Sequence, residues 1–150
     1  MRLWHKDLIN VLPRQQLLAQ WRECCCIARN TAVNGTPNHI LVNKMLDYSL
    51  SHFVSYTDLI TEEMKRRGYA VSNASKVKYS ENIIRIMNYN HMSAKGGPIH
   101  KIDYVSIFRC WHDERYFIQC YHNMEEKYDC GGIPDNEWEK VIKRGIGIIW

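Results

Sequence analysis

The stretch Pro13-Arg14-Gln15-Gln16-Leu17-Leu18-Ala19-Gln20-Trp21-Arg22-Glu23-Cys24-Cys25-Cys26-Ile27-Ala28 opens on a proline suited to a helix's first turn and runs on towards Asn34-Gly35, a stop signal. Residues 13 to about 32 therefore read as one long helix, with Leu17, Leu18, Trp21, Cys25 and Ala28 as its buried stripe. Gln16, Ala19, Glu23 and Cys26 recur at i, i+3, i+7 and i+10 on another face. Helical geometry puts Glu23 roughly 140° around the axis from Leu18, so its carboxylate faces solvent or a cleft.

Outward from this helix, the spacing predicts a second one over about 49–67, with Leu50, Phe53, Thr57, Ile60 and Met64 on one face. Gly68 would stop it after Lys65-Arg66-Arg67, cations that complement the negative end of a helix. Residues 69–79 read as loop. A shorter helix is expected from Ser80 to about His91, with Gly96-Gly97-Pro98 breaking the chain after it. From Asp113 to about Asp129, Phe117, Cys120, Tyr121, Met124 and Tyr128 fall at helical spacing, and Gly131-Gly132 ends the run. Asp135 is the expected cap of a last short helix carrying Trp138, Val141 and Ile142 up to Gly145. Ile102 to Phe108 has strand character, but one β run among helices makes no sheet. The reading is an all-α fold, one compact domain spanning residues 1–150 with three long helices plus short helices and loops.

Composition narrows the function classes. At 150 residues and 45% hydrophobic content the chain can bury one core, and 24% charged residues is the usual globular share. No apolar run approaches the ~20 residues of a spanning helix, so no membrane role is expected. The terminus Met1-Arg2-Leu3-Trp4-His5-Lys6-Asp7 lacks a secretory apolar stretch, which makes a cytoplasmic address the simplest expectation. Six cysteines fit that setting as free thiols, because three consecutive ones on a helix cannot all find bridging partners. Cys110, Cys120 and Cys130 match no close-paired zinc spacing, and neither metal nor cofactor is expected. A net charge of +4 permits contact with a phosphate backbone without demanding it.

Leu17-Leu18-Ala19-Gln20-Trp21-Arg22-Glu23 resembles the first-helix motif of the pyrimidine-dimer glycosylase/endonuclease V family. Ala32-Val33-Asn34-Gly35 resembles that helix's end, and Phe53 to Tyr69, closing on Lys65-Arg66-Arg67-Gly68-Tyr69, resembles the family's second helix. Met124-Glu125-Glu126-Lys127 resembles part of its third. The similar order and separations cover about half the chain. The resemblance implies a DNA-repair glycosylase with abasic-site lyase activity, excising cyclobutane pyrimidine dimers through an imine on the N-terminal amine. Carried over, the catalytic pair is the amine of Met1 and the carboxylate of Glu23. Arg2, Gln15, Gln16, Arg22 and Lys127 become the DNA-binding set, and the partner is double-stranded DNA with a damaged or abasic site, met by a monomer.

Elementary chemistry accommodates that pair. Imine formation needs a neutral amine, and α-amines with pKa of about 7.7–8.0 are neutral far more often near pH 7 than lysines near about 10.4. A carboxylate beside the sugar can stabilise developing positive charge and assist proton transfers. Three departures stand out. The chain begins Met1-Arg2 where well-known members expose a small residue, and bulky Arg2 implies that Met1 is retained. Gln16 stands where some members carry a histidine. Trp138-Glu139-Lys140 only faintly echoes the aromatic-rich C-terminal segment. Trp4, His5, Trp111 and His112 are polar-aromatic candidates to receive a displaced base, with core roles favoured for both tryptophans. Two rivals carry separate signatures: a non-catalytic helical DNA-binding module, and a thiol or metal protein built on Cys24-Cys25-Cys26.

Overall fold

The computed structural model describes residues 1–89 and 98–150. Among the described residues five α-helices follow in order: α1 (Arg14–Asn34), α2 (Leu50–Arg66), α3 (Asn73–Asn88), α4 (Glu114–Asp129) and α5 (Asp135–Gly145). Short 3-10 turns at Lys6–Val11, Asn43–Asp47 and Tyr104–Ser106 connect them. Among the described residues there is no strand, and no helix is long and apolar enough to cross a membrane.

The ends of α1 follow the sequence signals. Pro13 precedes its first turn, and Gly35 closes it in the left-handed conformation (φ 74°), where its N–H reaches the Thr31 carbonyl. Its buried face differs from the expected stripe, because Cys24 rather than Cys25 enters the core and Leu18 is only half-buried. The helix is turned so that Leu17, Trp21, Cys24, Ile27 and Ala28 face α2 and α3, a rotation set by those neighbours. All five residues expected on the inner face of α2 are buried.

Helix α3 begins at Asn73, so part of the expected loop is helical, and a fourth helix reaches the length of α4. Residues 73–79 lack an apolar period, yet tertiary contacts recruit them. The Ser72 hydroxyl accepts from Ser75 N–H at 3.1 Å, and Trp21 Nε1 donates to Ser75 Oγ at 3.3 Å. Tyr79 stacks obliquely on Trp21 and shares a hydrogen bond with the Thr57 hydroxyl. The expected helix end near His91 and the break at Gly96-Gly97 lie outside the described residues.

Asp113 caps α4 by accepting from Tyr116 N–H at 2.8 Å. Asp135 does not cap α5; Pro134 holds that position, and Asp135 accepts from the Tyr128 hydroxyl instead. Residues 102–108 do not pair as a strand: Ile102 and Phe108 donate to α2 side chains, Ser55 Oγ and His52 Nδ1, and Ser106 and Ile107 donate back to the Asp103 carbonyl in a 3-10 turn. Two of the cations at the end of α2, Arg66 and Arg67, are structural. Burial pushes the Glu63 carboxyl up, but the hydrogen bonds it accepts from Arg66 and Arg67 and their charges together hold it below the usual range. Arg67 then reaches the Leu12 carbonyl at 2.6 Å, tying α2 to the first 3-10 turn.

Candidate active site

Arg2, Leu3 and Trp4 precede the first 3-10 turn, and their bonded backbone groups use distant partners. Leu3, Trp4, His5 and Lys6 are all buried. Leu3 C=O accepts from the Tyr116 hydroxyl at 2.6 Å, and Trp4 C=O from the Tyr56 hydroxyl at 2.7 Å. Lys6 N–H donates to His112 Nδ1 at 3.0 Å, while the Lys6 ammonium donates to the Val105 and Ile107 carbonyls. Burial pushes His112 down to about 2, with His5 and the Lys6 ammonium nearby acting in the same direction. The segment is thereby held against α1, α2 and α4.

Gln20 completes the hold from α1. Its Oε1 accepts from Trp4 N–H at 2.8 Å and from the Tyr56 hydroxyl at 3.0 Å. Its Nε2 donates to Arg2 C=O at 2.9 Å and to Glu23 Oε2 at 3.4 Å. Arg2 N–H also donates to Glu23 Oε2 at 3.4 Å, which leaves the Met1 amine one residue from that carboxylate. Met1 is 41% exposed.

Glu23 lines a cleft of about 350 Å³ with Trp4, Gln15, Gln16, Leu18, Ala19, Arg22 and Lys127. Five residues expected to act on DNA, Gln15, Gln16, Arg22, Glu23 and Lys127, are thus brought to one concavity, the last from α4 and the others from α1. Arg22 and Lys127 are exposed. Gln16 Oε1 is shielded from solvent and has no hydrogen-bond partner. The Arg2 guanidinium turns elsewhere, to Cys120 Sγ at 3.7 Å and over the Trp4 ring. His5, Trp111 and His112 are buried in an aromatic cluster, and among the four polar-aromatic candidates Trp4 reaches this cleft. A roomier hollow of about 460 Å³ lies against Arg66, Arg67 and Lys140, but Glu23 is not on its wall. Chemistry rather than size singles out the Glu23 cleft.

The cysteine triplet fans out around α1, with Cys24 buried, Cys25 half-buried and Cys26 exposed. Burial raises the Cys24 thiol and lifts Cys25 to about 11, opposite to the lowered value of an activated thiol. Among the described residues, no three His, Cys, Asp or Glu side chains gather as metal ligands.

Gln20 escaped the sequence reading. Its position three residues after Leu17 and one before Trp21 puts a carboxamide on the apolar side, a polar exception that requires buried partners. Tyr56 and Tyr116 gave no comparable signal, since tyrosine at helical spacing reads as core.

Comparison with known proteins gives no match among curated proteins and none among solved structures. The family described as pyrimidine dimer DNA glycosylase matches residues 1–77. That span holds the N-terminal segment, all of α1 and α2, and the start of α3; Lys127 and α4 lie beyond it. Because the match extends over half the sequence and includes the terminus, Gln20 and Glu23, the chain belongs to the pyrimidine dimer DNA glycosylase family.

Proposed function

We propose that this glycosylase excises pyrimidine dimers from double-stranded DNA with the Met1 α-amine as nucleophile and then cleaves the abasic strand as a lyase. The observation that carries the reading is the Arg2 N–H to Glu23 contact, reinforced by Gln20, which sets the amine one residue from a carboxylate on a cleft wall. The amine's lone pair forms a bond to C1′ of the deoxyribose as the C1′–N1 bond breaks, its electron pair leaving with the pyrimidine. The nitrogen loses a proton, the sugar ring opens with O4′ protonated, and an imine links Met1 to C1′. Removal of a C2′ proton then expels the 3′-phosphate by β-elimination, and water hydrolyses the imine. Glu23 stabilises the positive charge building on the sugar and carries protons between these steps.

Arg22 and Lys127 supply cations for the phosphates that flank the lesion, with Arg2 adding charge behind them. Gln15 and Gln16 offer carboxamides to sugar or base edges, and the unpartnered Gln16 Oε1 is suited to accept a donor from the substrate. Displacement of a nucleotide into the cleft costs a few kcal/mol, least where pairing is already damaged.

Borohydride trapping tests the proposal, since hydride reduces the C=N bond to a stable amine. Protein incubated with abasic or dimer-containing duplex should give a covalent adduct that peptide mapping assigns to Met1, and Glu23→Gln should abolish dimer excision while still binding the duplex. A chain with an extended N-terminus should give none. Strand cleavage without a Met1 adduct, or no adduct from any damaged duplex, would refute the mechanism; the second outcome would leave a DNA-binding module.

A further inference from the structure

We propose that Gln20 is the positioning residue of this site, a buried carboxamide that locks the amine-bearing segment and Glu23 into one reactive geometry. The inference rests on the reading of Met1 and Glu23 as the reacting pair and adds a residue that touches neither sugar nor base. Gln20 is fully buried, so each of its polar atoms needs a partner inside the protein. A primary amide has two donor hydrogens and two acceptor lone pairs. Each has a partner: Oε1 accepts from Trp4 N–H and shares with Trp4 C=O the single Tyr56 hydroxyl proton, while Nε2 donates to Arg2 C=O and Glu23 Oε2. The opposite amide orientation would set Nε2 against Trp4 N–H and Oε1 against a carbonyl and a carboxylate, so only one rotamer satisfies the set.

The consequence is coupling. Arg2 and Trp4, on either side of Leu3, are both bonded to the amide that bonds Glu23, and neither Arg2 nor the carboxylate can shift away from it without breaking a hydrogen bond to that amide. Misplacement of a reacting group by about 1 Å can cost about 100-fold in rate. Phosphate contacts from Arg22 and Lys127 do not pass through Gln20, so DNA affinity should be spared.

The test uses Gln20→Glu, which preserves shape but replaces the donor NH₂ with an oxygen facing Arg2 C=O and Glu23. The single-turnover rate of borohydride trapping on abasic duplex is measured against pH, together with duplex affinity and thermal midpoint. Expected are a rate loss of about 100-fold, affinity little changed, and an acid limb of the pH profile moved upward, because a second carboxylate disfavours ionisation of the first. Gln20→Asn, one methylene too short to span both sides, should lose rate similarly without that pH movement. Ile27→Val, buried on the same helix and bonded to none of these groups, should lower the midpoint while trapping at the wild-type rate. A folded Gln20→Glu protein with the wild-type rate and profile overturns the inference, as does a loss that Ile27→Val reproduces. Should neither Gln20 variant fold, the side-chain amide resonances of Gln20 decide: Glu23→Gln must shift them and Arg22→Ala must not, and indifference to Glu23→Gln overturns it. Absence of any adduct from wild-type protein would instead defeat the proposed function.

Discussion

Lowering the pH from 7 to 5 places a proton on histidines in the unfolded chain that His112 refuses in the folded one. His112 is 7% exposed, and burial depresses it from the ordinary 6.5 to about 2. The folded value lies below the unfolded one, so the stability contributed by the neutral ring is present above pH 6.5 and drains away as the pH falls, until the folded ring itself titrates near pH 2. At pH 5 the unfolded state has gained about 1.5 pH units of proton binding that the native state has not, which amounts to about 2 kcal/mol. Urea unfolding at the two pH values reads this directly, as a midpoint fall of about 1 M for a slope near 2 kcal/mol per molar. His5 and His52, also lowered chiefly by burial, titrate in the same direction, so the His112 share is isolated by His112→Asn. That variant keeps an acceptor for Lys6 N–H and carries no titrating ring. Its stability should decline by about 2 kcal/mol less than wild type between pH 7 and 5. Equal declines would refute the assignment of a neutral, buried His112 anchoring the N-terminal segment.

Tyr116→Phe removes the hydroxyl bonded to Leu3 C=O and should cost about 1–3 kcal/mol in chemical denaturation, the penalty of an abandoned buried carbonyl; an unchanged midpoint would mean that water replaces the hydroxyl. Gly145→Ala would put a methyl 2.9 Å from Tyr121 Cε2 and 3.2 Å from Ile149 Cγ1, so a loss of about 1–3 kcal/mol is expected despite alanine's better helix propensity. A gain in thermal midpoint would contradict that packing. Paired Arg22→Ala and Lys127→Ala substitutions should reduce the slope of log affinity against log salt by about 2 for duplex DNA. An unaltered slope would remove both from the phosphate-contacting surface.

The course of α1 from Pro13 to Gly35, the inner face of α2 and the span of α4 could be read from the sequence, because helical period, caps and stops act over a few residues. The same period turned Glu23 away from the core. The start of α3 could not be read, since Asn73 to Tyr79 are helical through contacts with Trp21 and Thr57 rather than through an apolar pattern of their own. Nor could Cys24 be told from Cys25 as the buried thiol, because a stripe one position wide is settled by how neighbouring helices rotate α1.

What the sequence determined alone was a helical chain with a carboxylate on the exposed side of its first long helix and a terminus of suggestive composition. Only the tertiary structure decided that the two meet. The backbone groups of Arg2, Leu3 and Trp4 bond to Glu23, Gln20, Tyr56 and Tyr116, and Lys6 N–H bonds to His112, up to 113 residues away. Periodicity records which way a side chain faces on its own helix, whereas the groups that satisfy a buried extended backbone are fixed by packing, and it is packing that sets Arg2 N–H against Glu23, one residue from Met1.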